Sequence, residues 1–312
     1  MKRNRPLPLS PNLRGALFMV VAMASFTVND AITKFSSESM SMAQVLFVRG
    51  LFATALVGLL AWRRGALAAP RAAMQPLVGW RVVGEAGATV SYLLALSKLP
   101  IANVAAVQQA LPLAVTMGAA LFFGEGVGWR RWMAIAVGFM GVLIIVRPGF
   151  AGFSAYSLLV LCSVAFCTLR DLSTRRIPQD TPTLLISAVT SLAMTVLGAL
   201  LLPVMGGWTD MSLAATARLA LAAVLVLIGY QAIIAAMRIG DISFIAPFRY
   251  TALLWSIILG IVVFGDFPDS VMIAGSLIIV ASGLYTLYRE RTVGRSQAAT
   301  ESTGPDLAPD GI

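Results

Sequence analysis

Ten blocks of apolar residues, each close to the length of a bilayer crossing, run through this chain between residues 15 and 288. They fall at about 15–33, 43–62, 78–97, 101–123, 131–147, 155–173, 183–203, 217–237, 242–264 and 270–288. A hydrocarbon core about 30 Å thick takes roughly 20 apolar residues per helical crossing. Backbone polar groups in lipid must be satisfied within the protein, so blocks of this kind fold as spanning helices. Charged residues make up 12 % of the 312 positions, against roughly a quarter in a soluble domain. The blocks occupy nearly all of the chain between an N-terminal tail, 1–14, and a C-terminal tail, 289–312, and leave no stretch for a soluble domain. The expected fold class is therefore all-α integral membrane.

The first block follows Lys2, Arg3, Arg5 and Arg14, as a signal peptide would, but its polar end Asn29-Asp30-Ala31-Ile32-Thr33-Lys34 lacks a small-residue cleavage pattern. A net charge of +9 raises the question of nucleic acid, yet the cations form no binding stripe. They sort by topology instead. With the N-terminus inside, the cytoplasmic segments hold Lys2, Arg3, Arg5, Arg14, Arg63, Arg64, Arg71, Arg81, Arg130, Arg131, Arg175, Arg176, Arg238, Arg289, Arg291 and Arg295. The other side holds Lys98, Arg147 and Arg218, a bias of sixteen to three under the positive-inside rule. Both termini are expected in the cytoplasm, which requires an even number of crossings. The C-terminal tail, rich in Ser, Thr, Gly and Pro, reads as disordered. Cys162 and Cys167 are five apart in one block and cannot pair locally.

A shift of 141 residues lays the second half of the chain on the first without a gap. Asp30 falls on Asp171, Thr33 on Thr174, Lys34 on Arg175, Ala95 on Ala236 and Ile101 on Ile242. Phe123-Gly124-Glu125 falls on Phe264-Gly265-Asp266, so both halves end a long apolar helix in Phe-Gly-acid. Each half, 15–147 and 155–288, holds five blocks, and an odd number makes the second half enter the membrane upside down. Ten transmembrane helices in two inverted five-helix repeats are the architecture of many secondary transporters, whose substrate site lies between the halves near the midplane.

With these features the chain resembles the drug/metabolite transporter superfamily, of the EamA-like kind. The resemblance covers nearly everything from residue 12 to 290. It rests on the ten-helix, two-repeat plan, on Phe47-Val48-Arg49 and on the stretch from Ala95 through Pro112 to Gly124-Glu125. The echo from Ala236 to Gly265-Asp266 and the Gly-rich closing helices (Gly138, Gly141; Gly275, Gly283) complete it. It implies a multi-pass protein of the bacterial cell inner membrane that transports a small-molecule substrate, with substrates across the superfamily ranging from amino acids and amines to vitamins. The expected partners are that solute and the lipid bilayer. No nucleic acid is expected, and a homodimer is left open.

A charge in hydrocarbon costs several kcal/mol, so ionisable residues within the blocks are expected to pair and to face a cavity. Asp30, Lys34, Arg49, Glu85, Arg170, Asp171 and Arg249 qualify. Asp30 and Lys34, four apart, can pair on one helix face. Counting along each crossing puts Asp30 and Arg49 in the outer half, and Glu85, Asp171 and Arg249 in the inner half. Asp30, Glu85 and Asp171 are the candidates for proton coupling or gating. Static ion pairs that fix helix register are the alternative. Ala102, Ala106, Ala110, Ala114 and Gly118 recur every fourth residue, a ridge for close helix packing. Beside it stand Gln108 and Gln109, before the kink-capable Pro112, and their repeat partners Arg249 and Tyr250. These four, with Asn29, Arg49, Tyr92 and Tyr230, are the candidate substrate contacts. Phe26, Phe166, Phe248 and Trp255 are further aromatic candidates, while Trp62, Trp80, Trp129 and Trp132 read as an interfacial belt.

Three function classes compete. An intramembrane enzyme needs a nucleophile–base pair, a metal cluster or a carboxylate dyad, and the chain has no histidine, the commonest base and metal ligand. No cofactor or metal is expected. A channel would show a polar face along a whole helix, and no block has one. No phosphate-binding GxxxxGK[ST] loop is present, so transport is expected to run on a gradient. The substrate expected is a small polar organic metabolite, an amino acid or related compound, with a planar vitamin such as riboflavin as the alternative.

Overall fold

A computed structural model of the chain describes residues 10–68, 70–149, 153–178, 180–239 and 242–293. Tail residues 1–9 and 294–312 lie outside the described residues. All regular structure among the described residues is helical: α1 (Pro11–Ser36), α2 (Met42–Arg63), α3 (Pro76–Leu96), α4 (Ile101–Gln108), α5 (Leu111–Phe123), α6 (Trp129–Val146), α7 (Ala155–Arg175), α8 (Thr183–Leu201), α9 (Leu213–Ile239), α10 (Ile242–Ile245), α11 (Thr251–Leu259) and α12 (Ser270–Val293). The helix starts are written in the sequence. Ser10 accepts from the Leu13 N–H at 3.3 Å with Pro11 in the first turn, and Ser41 accepts from the Gln44 N–H at 3.2 Å. Because α12 runs to Val293, the first residues assigned to the C-terminal tail are helical.

Nine helical spans among the described residues are long and apolar enough to cross a membrane. The tenth crossing is α3, whose 21 residues include Arg81 and Glu85. Two crossings are broken. The fourth is α4 and α5 separated at Gln109–Ala110, and the ninth is α10, a 3-10 turn over Ala246–Tyr250, and α11 continued by a π-helical stretch at Gly260–Phe264. Pro112 explains the first break, since its ring excludes the carbonyl of Gln108, where α4 ends. Pro247 sits inside the second. The breaks fall at equivalent places in the two halves.

Both broken crossings also end alike. Gly124 and Gly265 take left-handed φ values of 67° and 69°, which a side chain would resist. The following acid then folds back, with the Glu125 N–H on the Ala119 carbonyl at 3.4 Å and the Asp266 N–H on the Gly260 carbonyl at 2.9 Å. The near face of the bundle, where α1 begins, therefore carries Glu125, and the far face, where α1 ends, carries Asp266. On that far face Asp269 accepts from the Met272 N–H at 2.7 Å, which holds its carboxyl below the usual range, and it also pairs with Arg147.

Each helix packs mainly on a helix of the opposite half: α1 on α9, α2 on α8, α3 on α7 and α6 on α12. Exchanging the halves turns α1–α9 into α7–α3 and leaves α2–α8 and α6–α12 in place, so this set of pairs maps onto itself. The largest apolar core surrounds the fourth crossing, with Ile101, Val104, Val107, Leu111 and Val115 against Val164, Leu172 and Ile279. The ridge Ala102, Ala106, Ala110 and Ala114 is buried there, and a side chain at Gly118 would meet Leu172 and Thr168. Trp62, Trp80 and Trp129 are exposed at near-face helix ends, as an interfacial belt requires.

Candidate functional site

A cavity of about 460 Å³ opens between the two halves. One wall is apolar, with Leu46, Ala53, Leu56 and Val57 of α2, Met194 of α8 and Val226 of α9. The opposite wall is polar, because α1, α3 and α7 bring ionisable residues to their packed faces. The two helix breaks contribute Gln108, Gln109 and Arg249.

Two polar networks face this space. In the first, Arg49 of α2 donates to the Asn29 amide oxygen at 3.2 Å, and the Asn29 amide nitrogen donates to Asp30 at 3.0 Å. The Tyr92 hydroxyl of α3 donates to the other Asp30 oxygen at 2.6 Å. A guanidinium only donates and a carboxylate only accepts, so the amide of Asn29 is oriented by its two neighbours. In the second network Arg170 of α7 pairs with Glu85 of α3 at 3.2 Å and with its neighbour Asp171 at 2.7 Å. Arg81 extends it, donating to the Thr174 hydroxyl at 3.2 Å, and that hydroxyl donates to the Arg170 carbonyl at 2.7 Å. An aromatic edge joins the two walls: Phe26 and Tyr230 meet edge to face at 5.2 Å between centroids.

Seven of the eight candidate substrate contacts lie on this cavity wall: Asn29, Arg49, Tyr92, Gln108, Gln109, Tyr230 and Arg249. Tyr250 lies elsewhere. It is buried with Ala246 and Leu287, its hydroxyl filling the space beside Gly283. Residues in a 3-10 turn advance by a third of a turn, so Arg249 faces the cavity while Tyr250 turns toward α12. Of the three acids, Asp30 and Glu85 line the cavity, whereas Asp171 is 1 % exposed and sits behind Arg170.

Two other side chains part from expectation. Lys34 does not pair with Asp30. Its ammonium donates to the Leu96 carbonyl at 3.1 Å and also to that of Leu99, closing the end of α3, while Asp30 is taken by Tyr92 and Asn29. Arg81, counted among the cytoplasmic positives, is 6 % exposed and lines the cavity with Arg170, Ser163, Cys167 and Thr190. Its spacing of four from Glu85 on one helix face was the available signal.

Residues 13–147 match the EamA-like transporter family. The pseudopaline exporter CntI of Pseudomonas aeruginosa is 27 % identical, over 86 % of this chain and 94 % of that protein. An S-adenosylmethionine uptake transporter of Rickettsia prowazekii is 26 % identical over 91 % and 95 %. A riboflavin transporter of Vibrio cholerae is 28 % identical over 86 % and 91 %. One solved structure shares the fold with a TM-score of 0.59 at 20 % identity, covering 89 % of this chain and 98 % of that one. The chain is thus a multi-pass membrane protein similar over most of its length to transporters rather than to enzymes, with residues 13–147 matching the EamA-like transporter family.

Proposed function

We propose that this protein moves a carboxylate-bearing metabolite, of the size and kind of an amino-acid derivative, across the bacterial cytoplasmic membrane by alternating access. The observation that carries the reading is Arg49. Its guanidinium, with five N–H donors, lines the cavity between the halves and gives one of them to the neutral amide oxygen of Asn29. A carboxylate arriving in the cavity meets a bidentate match. The volume of about 460 Å³ suits a solute larger than a free amino acid. The cytoplasmic placement of both termini is supported by the loop charges, which without Arg81 stand at fifteen to three.

The test is the melting temperature of the purified protein across carboxylates, amines, nucleosides and vitamins. A ligand at about 100 times its Kd stabilises by about 2.7 kcal/mol if it binds the folded state alone. Carboxylate-bearing compounds are expected to raise the melting temperature in the native chain and not in Arg49→Ala. A shift confined to cations, or one that survives Arg49→Ala, rejects the reading. A second reading, a planar vitamin such as riboflavin, is favoured by the aromatic surface that Phe26, Tyr92 and Tyr230 present to the same cavity. It predicts a riboflavin shift lost in Tyr230→Ala.

Proton coupling is assigned to Asp30. It lines the cavity and is held by Tyr92 of α3, by Asn29 of α1 and, through Asn29, by Arg49 of α2. Asp171 is screened from the cavity by its bond to Arg170. Asp30→Asn is expected to remove the pH dependence of uptake into reconstituted vesicles. An unchanged pH profile would leave transport standing and discard coupling at this residue.

A further inference from the structure

The Phe-Gly-acid endings that the two halves share meet a cation in each case, and the cations are themselves repeat partners. At the near face Arg175, in the last turn of α7, pairs with Glu125 at 2.9 Å and stands 6.0 Å from the centroid of Phe123. The adjacent Arg176 stacks on the same ring at 3.8 Å. At the far face Lys34, in the last turn of α1, stands 5.3 Å over Phe264. Lys34 is thus to Phe264-Gly265-Asp266 what Arg175 is to Phe123-Gly124-Glu125. The two sites nevertheless differ in state. Lys34 gives its hydrogen bonds to the Leu96 and Leu99 carbonyls rather than to Asp266. The near site is an ion pair and the far one is not.

The geometry points to twin latches at opposite membrane faces, Arg175–Glu125 closed by an ion pair and Lys34–Asp266 holding only its cation–π contact in this conformation, whose exchange of states opens the cavity to one side and then the other. The inference rests on the alternating-access reading above and names the contacts that alternate. Each latch joins a crossing that carries a cavity network to the end of a broken crossing: α7 with Arg170 to α5, and α1 with Asn29 and Asp30 to the end of the ninth. Left-handed Gly124 and Gly265 bring each acid back to its helix end, so acid and ring are presented together. A charged hydrogen bond and a cation–π contact add at one point. Two inverted copies of one contact give two conformations of comparable stability, which alternating access needs.

The test follows access to the cavity without any substrate. Ser191, on the cavity wall midway along α8, becomes a reporter as Ser191→Cys in a chain carrying Cys162→Ala and Cys167→Ala. Sealed vesicles of known orientation receive a membrane-impermeant maleimide from either side. Labelling is expected to be faster from the far face. Glu125→Gln should raise near-face labelling on the order of tenfold, the population shift that a lost charged hydrogen bond implies. Asp266→Asn should not raise it. The double exchange Glu125→Arg with Arg175→Glu should restore the native sidedness, which also guards against a single variant that misfolds. Near-face labelling in Glu125→Gln within about twofold of the parent, or an exchange that restores nothing, overturns the latch. Flux of the labelled carboxylates that raise the melting temperature tests transport separately in the same vesicles. A switch of labelled side without flux upholds the latch and sinks the transport reading.

Discussion

Gly84→Val is expected to leave almost no folded protein in the membrane fraction. Gly84 lies where α3 crosses α7, and a Cβ there would stand 2.7 Å from the Arg170 backbone nitrogen and 2.9 Å from the Phe166 carbonyl oxygen. Both are backbone atoms of a helix, so no rotamer change relieves the clash. The helices must separate. Overpacking in a core costs typically 1–3 kcal/mol when side chains can adjust, and more is expected where they cannot. Separation also removes what depends on the close approach, the Glu85–Arg170 pair and the Arg81–Thr174 bond. Melting temperature and yield in detergent check this, with Gly84→Ala as the graded case. A Gly84→Val protein that melts with the native chain would mean that the α3–α7 crossing is looser than described.

Arg170→Leu is expected to have the next largest effect. Arg170 answers two carboxylates at once, Glu85 at 3.2 Å and Asp171 at 2.7 Å, and Asp171 is almost wholly out of solvent. Removing one partner of a buried ion pair costs on the order of 3–5 kcal/mol, because the other charge is left uncompensated. Replacing the whole set by neutral groups is far milder. The triple variant Arg170→Leu with Glu85→Gln and Asp171→Asn is therefore expected to recover most of the melting temperature that Arg170→Leu loses. Transport should stay lost in both, since the charged network that α3 and α7 bring to the cavity is gone. If the triple variant melts no higher than the single one, the cost lies in packing of the arginine stem rather than in stranded charge.

Much of the fold was legible because the bilayer imposes a length and a polarity on each helix. The apolar blocks emerge from hydropathy, and the break near Gln109 from a proline inside an apolar run. Side-chain direction was harder to read. Gln109 and Tyr250 are repeat partners, yet one faces the cavity and the other α12, because the second break is a 3-10 turn and the first is not. Arg81 was assigned by its distance from a helix end, while its environment is set by α7, which sequence spacing does not reveal. Lys34 shows the same limit: spacing offered Asp30, and the end of α3 supplied two carbonyls instead. What a sequence states well is which charges lie within the membrane. Which neighbour each charge meets is decided by crossings between distant helices.

The crossed pairing of the helices has a consequence for how the protein is made. Each long helix of the first half finds its main partner in the second: α1 in α9, α2 in α8, α3 in α7 and α6 in α12. Synthesis runs from the N-terminus, so the first five spans enter the bilayer with those faces still turned to lipid. Glu85 meets Arg170 only when a residue 85 positions later has been threaded in. Until then Glu85 has Arg81, one turn away on its own helix, as a provisional counter-charge. The nascent first half is a set of docking faces awaiting their complements, and assembly is expected to proceed by intercalation of the second half into the first rather than by the joining of two finished bodies.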